Sequence, residues 1–285
     1  MNKFIIICII LCVIILLILY KDKTDVNNNL EKNIDIYGNG SIYIPKKIHQ
    51  IITDKNNIPP IIQKNINHLK KLNPGWSYFL YDYVDIINYI KANCDPDILR
   101  AYNMINPEYG AARADFFRYI IMYQQGGVYL DIKSSAKVPF DFIIKKDDEF
   151  ILNHWFLNTL KKDKIILNSY IINFYKKYFN YEDGEFQQWN IICMPFHPFL
   201  KAVIDNCIKN IYNYDYGYGR SAVFKITGPI VYTQTITPLL PYYKHTIYDR
   251  HEYIGLQFSI YWFLNHMFVG KKHYSQLKTP LIIKN

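Results

Sequence analysis

Between residues 47 and 92 the chain alternates segments that favour strands with segments that favour helices. Lys47–Thr53 is rich in β-branched apolar residues, and apolar residues at helical spacing begin after Pro59-Pro60. Trp76–Tyr81 then predicts a second strand, and Val84–Ala92 predicts a second helix. Strands joined through a helix pair in parallel, because the helix returns the chain to the same edge of the sheet. The alternation predicts an α/β fold with a mixed, mainly parallel sheet flanked by helices.

Further segments extend this pattern. Glu108–Gln125 predicts a long helix that ends at Gly126-Gly127, where glycine can adopt the left-handed conformation that closes a helix. Val128–Ile132 predicts a short strand in the middle of the sheet, since its residues are almost all apolar. The remaining predicted elements are strands at Glu149–Asn153 and Asn190–Met194 and helices at Leu160–Phe179 and His197–Tyr212.

The composition fits a folded domain and excludes several classes of protein. Half of the 285 residues are hydrophobic and 17% are aromatic, which is far too apolar for a disordered chain. The net charge of +9 comes mostly from scattered lysines without a recognition motif, so nucleic acid is not an expected partner. Outside the amino-terminal apolar run, Cys94, Cys193 and Cys207 are too far apart for a disulfide framework or a zinc motif.

The amino-terminal segment Phe4–Tyr20 has no charged residue, and its 17 residues reach the lower limit for crossing a bilayer core of about 30 Å. The sequence Tyr20-Lys21-Asp22-Lys23 lacks the small residues of a signal-peptide cleavage site, which favours an uncleaved anchor over a signal peptide. We therefore divide the chain into a transmembrane anchor (1–21), a polar tether (22–41) and one α/β domain (42–285).

Charged residues stand at core-like positions in the apolar segment from Ala111 to Lys133, namely Asp115, Arg118, Asp131 and Lys133. Asp115 and Arg118 are three residues apart on a predicted helix and share one face. Asp131 and Lys133 are two residues apart on a predicted strand, so their side chains point to the same side with backbones about 7 Å apart. Charges in such places must be partnered or functional.

These charges have two interpretations. The carboxyl end of a parallel strand is where open α/β sheets bind ligands, and two carboxylates, a guanidinium and an ammonium suit a phosphate-bearing ligand. Alternatively, an internal salt bridge from Arg118 to Asp131 holds the helix to the strand.

Five short sequence markers occur in an order that resembles one protein family. They are Ile44–Ile51 (IPKKIHQI), Asn73-Pro74-Gly75-Trp76, the Asp-x2-Arg helix before Gly-Gly-Val-Tyr-Leu-Asp, His197-Pro198-Phe199 and Thr227-Gly228-Pro229. The family they resemble contains the DXD motif and includes fungal initiating α-1,6-mannosyltransferases, inositol-phosphoceramide mannosyltransferases and capsular-polysaccharide sugar transferases (glycosyltransferase family 32-like). The resemblance covers roughly residues 44–229.

The resemblance implies a GT-A fold that transfers a sugar from a nucleotide donor with retention of anomeric configuration. By position, Asp115 and Arg118 match residues that contact the sugar and phosphate of the donor, and Asp131 matches the first Asp of the DXD motif. His266 is a further candidate metal ligand by resemblance, although the Ser-Trp that follows it in the family is missing. The same resemblance places four more residues in the donor site: Gly126, Gly127, His49 and Gln50.

Lys133 stands where many relatives have the second Asp. In a DXD site two carboxylates hold a divalent cation, Mn²⁺ or Mg²⁺, against the diphosphate. The lysine removes one ligand and adds a positive charge, which can neutralise the departing diphosphate in place of a metal. The two alternatives are a metal held by Asp131 with water and the diphosphate, and a degenerate, inactive site.

We therefore predict a membrane-anchored glycosyltransferase that moves a hexosyl unit from a nucleotide sugar to a glycan, lipid or protein acceptor, with Asp131 and Lys133 as catalytic residues. A single-pass protein with a lumenal catalytic domain (type II) is expected, although lysines on both flanks of the anchor leave the orientation open. The alternative is a catalytically inactive, membrane-anchored nucleotide-sugar or glycan-binding protein of the same fold.

Overall fold

A computed structural model describes residues 43–155, 184–215, 217–261 and 274–284 of the chain. The predicted anchor Phe4–Tyr20, the tether 22–41, the helix Leu160–Phe179 and the candidate ligand His266 lie outside the described residues. Among the residues that are described, no helix combines the length and the apolar character needed to cross a bilayer.

The described strands form a mixed sheet of six strands and a separate pair. They are β1 (Lys47–Ile51), β2 (Ser77–Tyr81), β3 (Gly127–Leu130), β4 (Ser135–Ala136), β5 (Phe150–Asn153), β6 (Asn190–Cys193), β7 (Thr246–Tyr248) and β8 (Leu256–Gln257). Six of these follow the order β2-β1-β3-β6-β5-β7, and β4 pairs separately with β8. β1 is parallel to β2 and β3, and β5 is parallel to β7, whereas β6 is antiparallel to both of its neighbours. The predicted mixed sheet, with β3 in its interior, is confirmed.

Helices flank this sheet. They are α1 (Pro60–Leu72), α2 (Tyr83–Asn93), α3 (Pro96–Met104), α4 (Gly110–Gln125), α5 (Phe140–Ile143), α6 (Pro198–Tyr212), α7 (Gly219–Ile226) and α8 (Pro229–Ile236), with 3₁₀ turns at Thr237–Tyr242, His251–Ile254 and Tyr274–Gln276. The sequence did not predict α3, a helix of nine residues that buries only Ala101 and Tyr102.

The α4 helix is the central helix of the fold. It is buried along most of its length and packs against β3 and α6. Alternate residues of β3 pack into two hydrophobic cores on opposite faces of the sheet. Tyr129 lies in the core that contains α4, and Val128 and Leu130 lie in the other. A residue that follows Leu130 in extended backbone therefore points towards α4, which is where Asp131 is found.

One predicted boundary is wrong, and it matters for the site. β3 ends at Leu130, so Asp131 and Lys133 do not lie on a strand. They belong to a turn in which Ser134 N donates to the Asp131 carbonyl at 2.7 Å. The chain turns here because Ser135 and Ala136 leave the large sheet to pair with β8. The argument that both side chains point to one side of a strand therefore does not apply.

Candidate functional site

Arg118 on α4 bridges two aspartates that come from different elements. Its Nη2 atom lies 3.0 Å from Asp115 Oδ1 on the same helix and 3.2 Å from Asp131 Oδ1 just past β3. The side chains of Arg118 and Asp115 are 6% and 7% exposed, whereas that of Asp131 is 25% exposed. The salt bridge that the sequence offered as one interpretation is present. Solvent nevertheless reaches Asp131, the most exposed member of the cluster.

Neighbouring groups fix this cluster in place. Tyr129 donates its hydroxyl hydrogen to Asp131 Oδ1 at 3.0 Å, and the Arg118 guanidinium lies 4.9 Å from the centroid of the Tyr129 ring. Arg118 Nη1 donates to the carbonyl of Gln188 at 2.9 Å. Thr227, from the Thr-Gly-Pro marker, donates from Oγ1 to Asp115 Oδ2 at 3.4 Å. The charges are therefore held in position by the fold itself.

Burial and a shortage of positive charge set the protonation of the cluster. Burial raises the pKa of Asp115 to about 7, an effect that Arg118 opposes and Asp131 reinforces. Burial alone would lower the pKa of Arg118, but Tyr129, Asp131 and Asp115 hold it above its usual value. Arg118 therefore stays charged, and one fixed positive charge serves two carboxylates, of which Asp115 is readily protonated.

Lys133 brings a second positive charge to the same turn as Asp131. Its Nζ atom lies 4.5 Å from the centroid of the Phe258 ring. No described carboxylate lies within 4.0 Å of that nitrogen, since Asp131 pairs with Arg118. Burial lowers the pKa of Lys133, Asp131 raises it and Arg118 lowers it further. The ammonium is therefore not neutralised by a described side chain, and it is available to an anionic ligand.

Two predicted donor residues on β1 face opposite sides of the sheet. Gln50 is buried, donates from Nε2 to the Asp131 carbonyl at 3.0 Å and accepts from the Tyr78 hydroxyl at 2.7 Å. His49 is 1% exposed, with Nε2 lying 3.1 Å from the Gly126 carbonyl oxygen and Nδ1 lying 3.1 Å from the Tyr81 hydroxyl. Burial lowers the pKa of His49 to about 4, so the ring is neutral and both nitrogens are engaged. The structure brings Gln50 to the charge cluster, but not His49.

Gly126 and Gly127 lie at the opposite end of β3 from Asp131. Gly126 closes α4 with φ of 58°, and Gly127 enters the strand with φ of 96°. A Cβ atom on Gly126 would come within 2.6 Å of Pro195 N, and one on Gly127 within 2.4 Å of the Lys47 carbonyl oxygen. These contacts account for both glycines by backbone geometry and packing. Their contact with a donor, like that of His49, stays a prediction.

The side chains at the turn do not match a two-carboxylate metal site. Asp131 is its one carboxylate, and Asp131 Oδ1 already accepts from Tyr129 and Arg118. The second position is Lys133, whose positive charge repels a cation. Within the described ranges, no three His, Cys, Asp or Glu residues cluster as metal ligands. The described residues therefore do not fit a metal held in the DXD manner.

Several residues of the site were not predicted from the sequence. Gln188 and Phe258 belong to no motif. Tyr129 lies in the Gly-Gly-Val-Tyr-Leu-Asp marker but was given no role, although it stands two residues before Asp131 and so shares its side of an extended chain. Thr227 was noted as a marker without a role. Gln188 follows a segment that lies outside the described residues, and Phe258 is more than a hundred residues from Asp131, so only the folded chain shows that they meet the cluster.

The charged cluster lies in a part of the chain that is similar to a known protein family. Residues 59–151 match the family model described as a glycosyltransferase sugar-binding region containing the DXD motif. Asp115, Arg118, Asp131 and Lys133 all lie within that range. The cluster described above is therefore part of the segment by which the family is recognised.

Curated relatives include two proteins of Schizosaccharomyces pombe. Inositol phosphoceramide mannosyltransferase 1 is 26% identical over 201 residues, covering 66% of this chain and 49% of the relative. Inositol phosphoceramide mannosyltransferase 3 is 27% identical over 201 residues, covering 70% and 46%. An uncharacterised glycosyltransferase of Acanthamoeba polyphaga mimivirus is 32% identical over 129 residues, covering 45% and 47%. The chain spans about half the length of the curated relatives that it matches.

A solved structure titled PaToxG Glycosyltransferase aligns with a TM-score of 0.48 and 16% identity over 78% of each chain. The family match and the curated relatives agree with the resemblance seen in the sequence markers. Residues 59–151 of this chain are therefore similar to the DXD-containing sugar-binding region of glycosyltransferases, in agreement with the family that the sequence markers resemble.

Proposed function

We propose that this protein is a membrane-anchored, GT-A-like glycosyltransferase that transfers a hexosyl unit from a nucleotide sugar to a hydroxyl of a glycan, lipid or protein, with retention of configuration. The observation that carries the proposal is the buried Asp115–Arg118–Asp131 cluster, which opens to solvent at Asp131 beside the Lys133 ammonium, for which the described residues supply no carboxylate partner. Two curated relatives are named as inositol phosphoceramide mannosyltransferases, which supports a hexosyl donor and a lipid among the acceptors.

The proposed roles follow from charge and exposure. Asp131 orients the donor, because it is the carboxylate of the cluster that solvent reaches. Lys133 stabilises the negative charge that develops on the departing diphosphate, since its ammonium is not paired with a described carboxylate. Arg118 and Asp115 hold the donor phosphate and sugar, and their burial keeps these contacts free of competing water. Gln50 holds the Asp131 carbonyl and so positions the turn.

The two interpretations of the cluster predict different results for Asp131→Asn. As a donor site, the full-length variant should release nucleotide from its sugar donor about a hundredfold more slowly with a small change in melting temperature. As a purely structural salt bridge, it should lose stability while donor affinity is unchanged. The measurement is nucleotide release from a panel of nucleotide sugars, beside thermal unfolding.

Asp205→Asn is the matched control for Asp131→Asn. Asp205 forms an exposed ion pair with Lys201 on α6, with both side chains more than half exposed. Loss of such a pair changes stability by less than about 1 kcal/mol and should leave turnover unchanged. Equal loss of turnover in both variants would count against a specific role for Asp131.

The positive charge of Lys133 predicts that the transfer activity does not require a metal ion. Wild-type activity should survive EDTA, and Lys133→Ala should lower turnover by about a hundred- to a thousandfold, because a charge-assisted contact to the leaving group is lost. Lys133→Asp should recreate the DXD pair and make the remaining activity depend on Mn²⁺ or Mg²⁺. Activity that disappears with chelator and returns with metal in the wild type would instead assign a cation to Asp131 alone.

The alternative function is a nucleotide-sugar or glycan-binding protein that has lost turnover with the second Asp. It predicts that the wild type and Lys133→Asp both bind donor but turn over none of the nucleotide sugars, with or without metal. That outcome would replace the catalytic proposal.

A further inference from the structure

The aromatic ring that contacts the Lys133 ammonium belongs to Phe258, which is distant from Lys133 in the sequence. Phe258 lies just past β8, well beyond the matched residues 59–151. Its ring centroid is 4.5 Å from Lys133 Nζ, which is within the range of a cation–π interaction. Lys133 and Phe258 are both partly buried, and burial strengthens such an attraction because water competes less for the ammonium.

The backbones of the two segments are joined on both sides of this contact. Ser134 Oγ donates to the Phe258 carbonyl at 2.6 Å, and Ile260 N donates to the Lys133 carbonyl at 2.8 Å. Next to them, β4 pairs with β8. The turn that carries Asp131 and Lys133 is therefore attached to the segment that carries Phe258.

The ring itself is fixed by its neighbours. Phe258 packs nearly edge-on against Trp155, with centroids 5.0 Å apart, and against Trp189, with centroids 5.4 Å apart. The carbonyl of Trp189 accepts from Asp131 N at 2.8 Å, so the same residue supports both the ring and the turn. Phe258 is therefore a rigid surface beside a flexible lysine.

We propose that Phe258 is a positioning residue of the donor site, whose ring holds the Lys133 ammonium in place for the diphosphate of a nucleotide-sugar donor. This inference rests on the proposed function, since it assumes that the anion at Lys133 is a nucleoside diphosphate. A lysine side chain has a flexible stem of four carbons. Fixing its ammonium before the ligand arrives lowers the conformational entropy that is lost on binding. The part of the chain beyond the family match thus completes the site where a lysine has replaced the second Asp.

Graded fluorination of the ring tests this role without changing its shape. Phe258 in the full-length protein is replaced by 4-fluoro-, 3,5-difluoro- and 3,4,5-trifluorophenylalanine, which withdraw the negative charge from the ring face. The Kd for GDP and for UDP is measured in EDTA, beside the rate of nucleotide release from sugar donors. We expect the Kd of the diphosphate that binds to rise stepwise, by about tenfold across the series, while the melting temperature stays within about two degrees.

Two comparisons isolate the lysine from packing. In a Lys133→Met background the same fluorination series should leave Kd unchanged within about twofold, because no ammonium remains to be held. Phe140→Leu removes a buried ring in the hydrophobic cluster against which Phe258 packs, and it should lower the melting temperature with Kd unchanged. Phe258→Tyr should retain wild-type affinity, since it keeps the ring.

The outcomes separate this inference from the proposed function. A Kd that does not respond to fluorination, that falls with it, or that responds equally in Lys133→Met would overturn the role of Phe258. Diphosphate binding that follows the series without any donor turnover would support the role of Phe258 while refuting catalysis. Failure of the wild type to bind either diphosphate would overturn both.

Discussion

At the scale of single residues, the site consists of charged side chains at buried positions where the neighbouring residues are apolar. Asp115 and Arg118 occupy one face of a helix that is otherwise packed into the core. Ion pairs so deeply buried seldom add stability, because desolvation offsets their attraction. The cluster is therefore more readily explained by a ligand than by folding.

Asp115 predicts a pH dependence of stability. Its pKa rises from an ordinary value of 3.8 to about 7 on folding, so the folded chain binds more protons than the unfolded chain between these pH values. The free energy of unfolding should consequently fall as the pH rises from about 4 to about 7 and then level off. Asp115→Asn, which cannot ionise, should lack this contribution.

The measurement for Asp115 is chemical denaturation of the wild type and Asp115→Asn from pH 4 to pH 9. The difference between the two proteins isolates this carboxyl group from all others that titrate in the same range. A wild type that gains stability relative to Asp115→Asn as the pH rises would mean that Arg118 outweighs burial and keeps Asp115 ionised.

At the scale of elements, the site depends on how α4 is joined to β3. The Gly126-Gly127 junction turns the chain sharply, so that the helix lies against the strand that it precedes. Arg118 on the helix can then reach the residue just past the end of the strand. The separation of the two ends of β3 also explains why glycines beside a DXD-like motif need not contact a donor.

Substitution of these glycines should lower stability. Gly126→Ala and Gly127→Ala place a Cβ within 2.6 Å and 2.4 Å of backbone atoms at positive φ, and each should cost about 2–4 kcal/mol of unfolding free energy from strain and overpacking. Gly75→Ala is the matched control, because nothing lies within 4 Å of its added Cβ. Denaturant titration measures the loss, and donor affinity of the folded fraction should be unchanged. Weaker donor binding without loss of stability would restore the donor-contact role implied by the family resemblance.

At the scale of the whole molecule, the described sheet and hydrophobic clusters are built from residues between 43 and 284. A chain lacking residues 1–40 should therefore be folded and soluble without detergent, if those residues are the predicted anchor and tether. The full-length protein should sediment with membranes, because Phe4–Tyr20 is uncharged and apolar.

Fractionation and circular dichroism of both proteins test the predicted anchor. A truncated chain that aggregates, together with a full-length chain that is soluble without detergent, would show that the apolar segment belongs to the folded domain.

The elements that position the site were predictable from local pattern. Apolar and β-branched content identified β1, β2 and β3, and a long apolar segment that ends at two glycines identified α4, because composition and terminating residues can be read from the sequence alone. The unusual charges at Asp115, Arg118 and Asp131 were also visible, since burying a charge is costly enough to be rare. The boundary after Leu130 was not visible, because apolar residues flank Asp131 on both sides as far as Ile132 and only the pairing of β4 with β8 shows where the strand ends.

The sequence by itself determined the α/β architecture, the resemblance to DXD-containing glycosyltransferases and the charged residues of the candidate site. Only the tertiary structure showed that Arg118 forms ion pairs with both aspartates and that Phe258 lies beside Lys133. It also showed that His49 contacts the end of α4, whereas Gln50 contacts the turn that carries Asp131. The physical reason is that β1 is buried on both faces, so its apolar pattern does not say which side meets the ligand. Contacts between segments more than a hundred residues apart depend on packing, which no local period encodes.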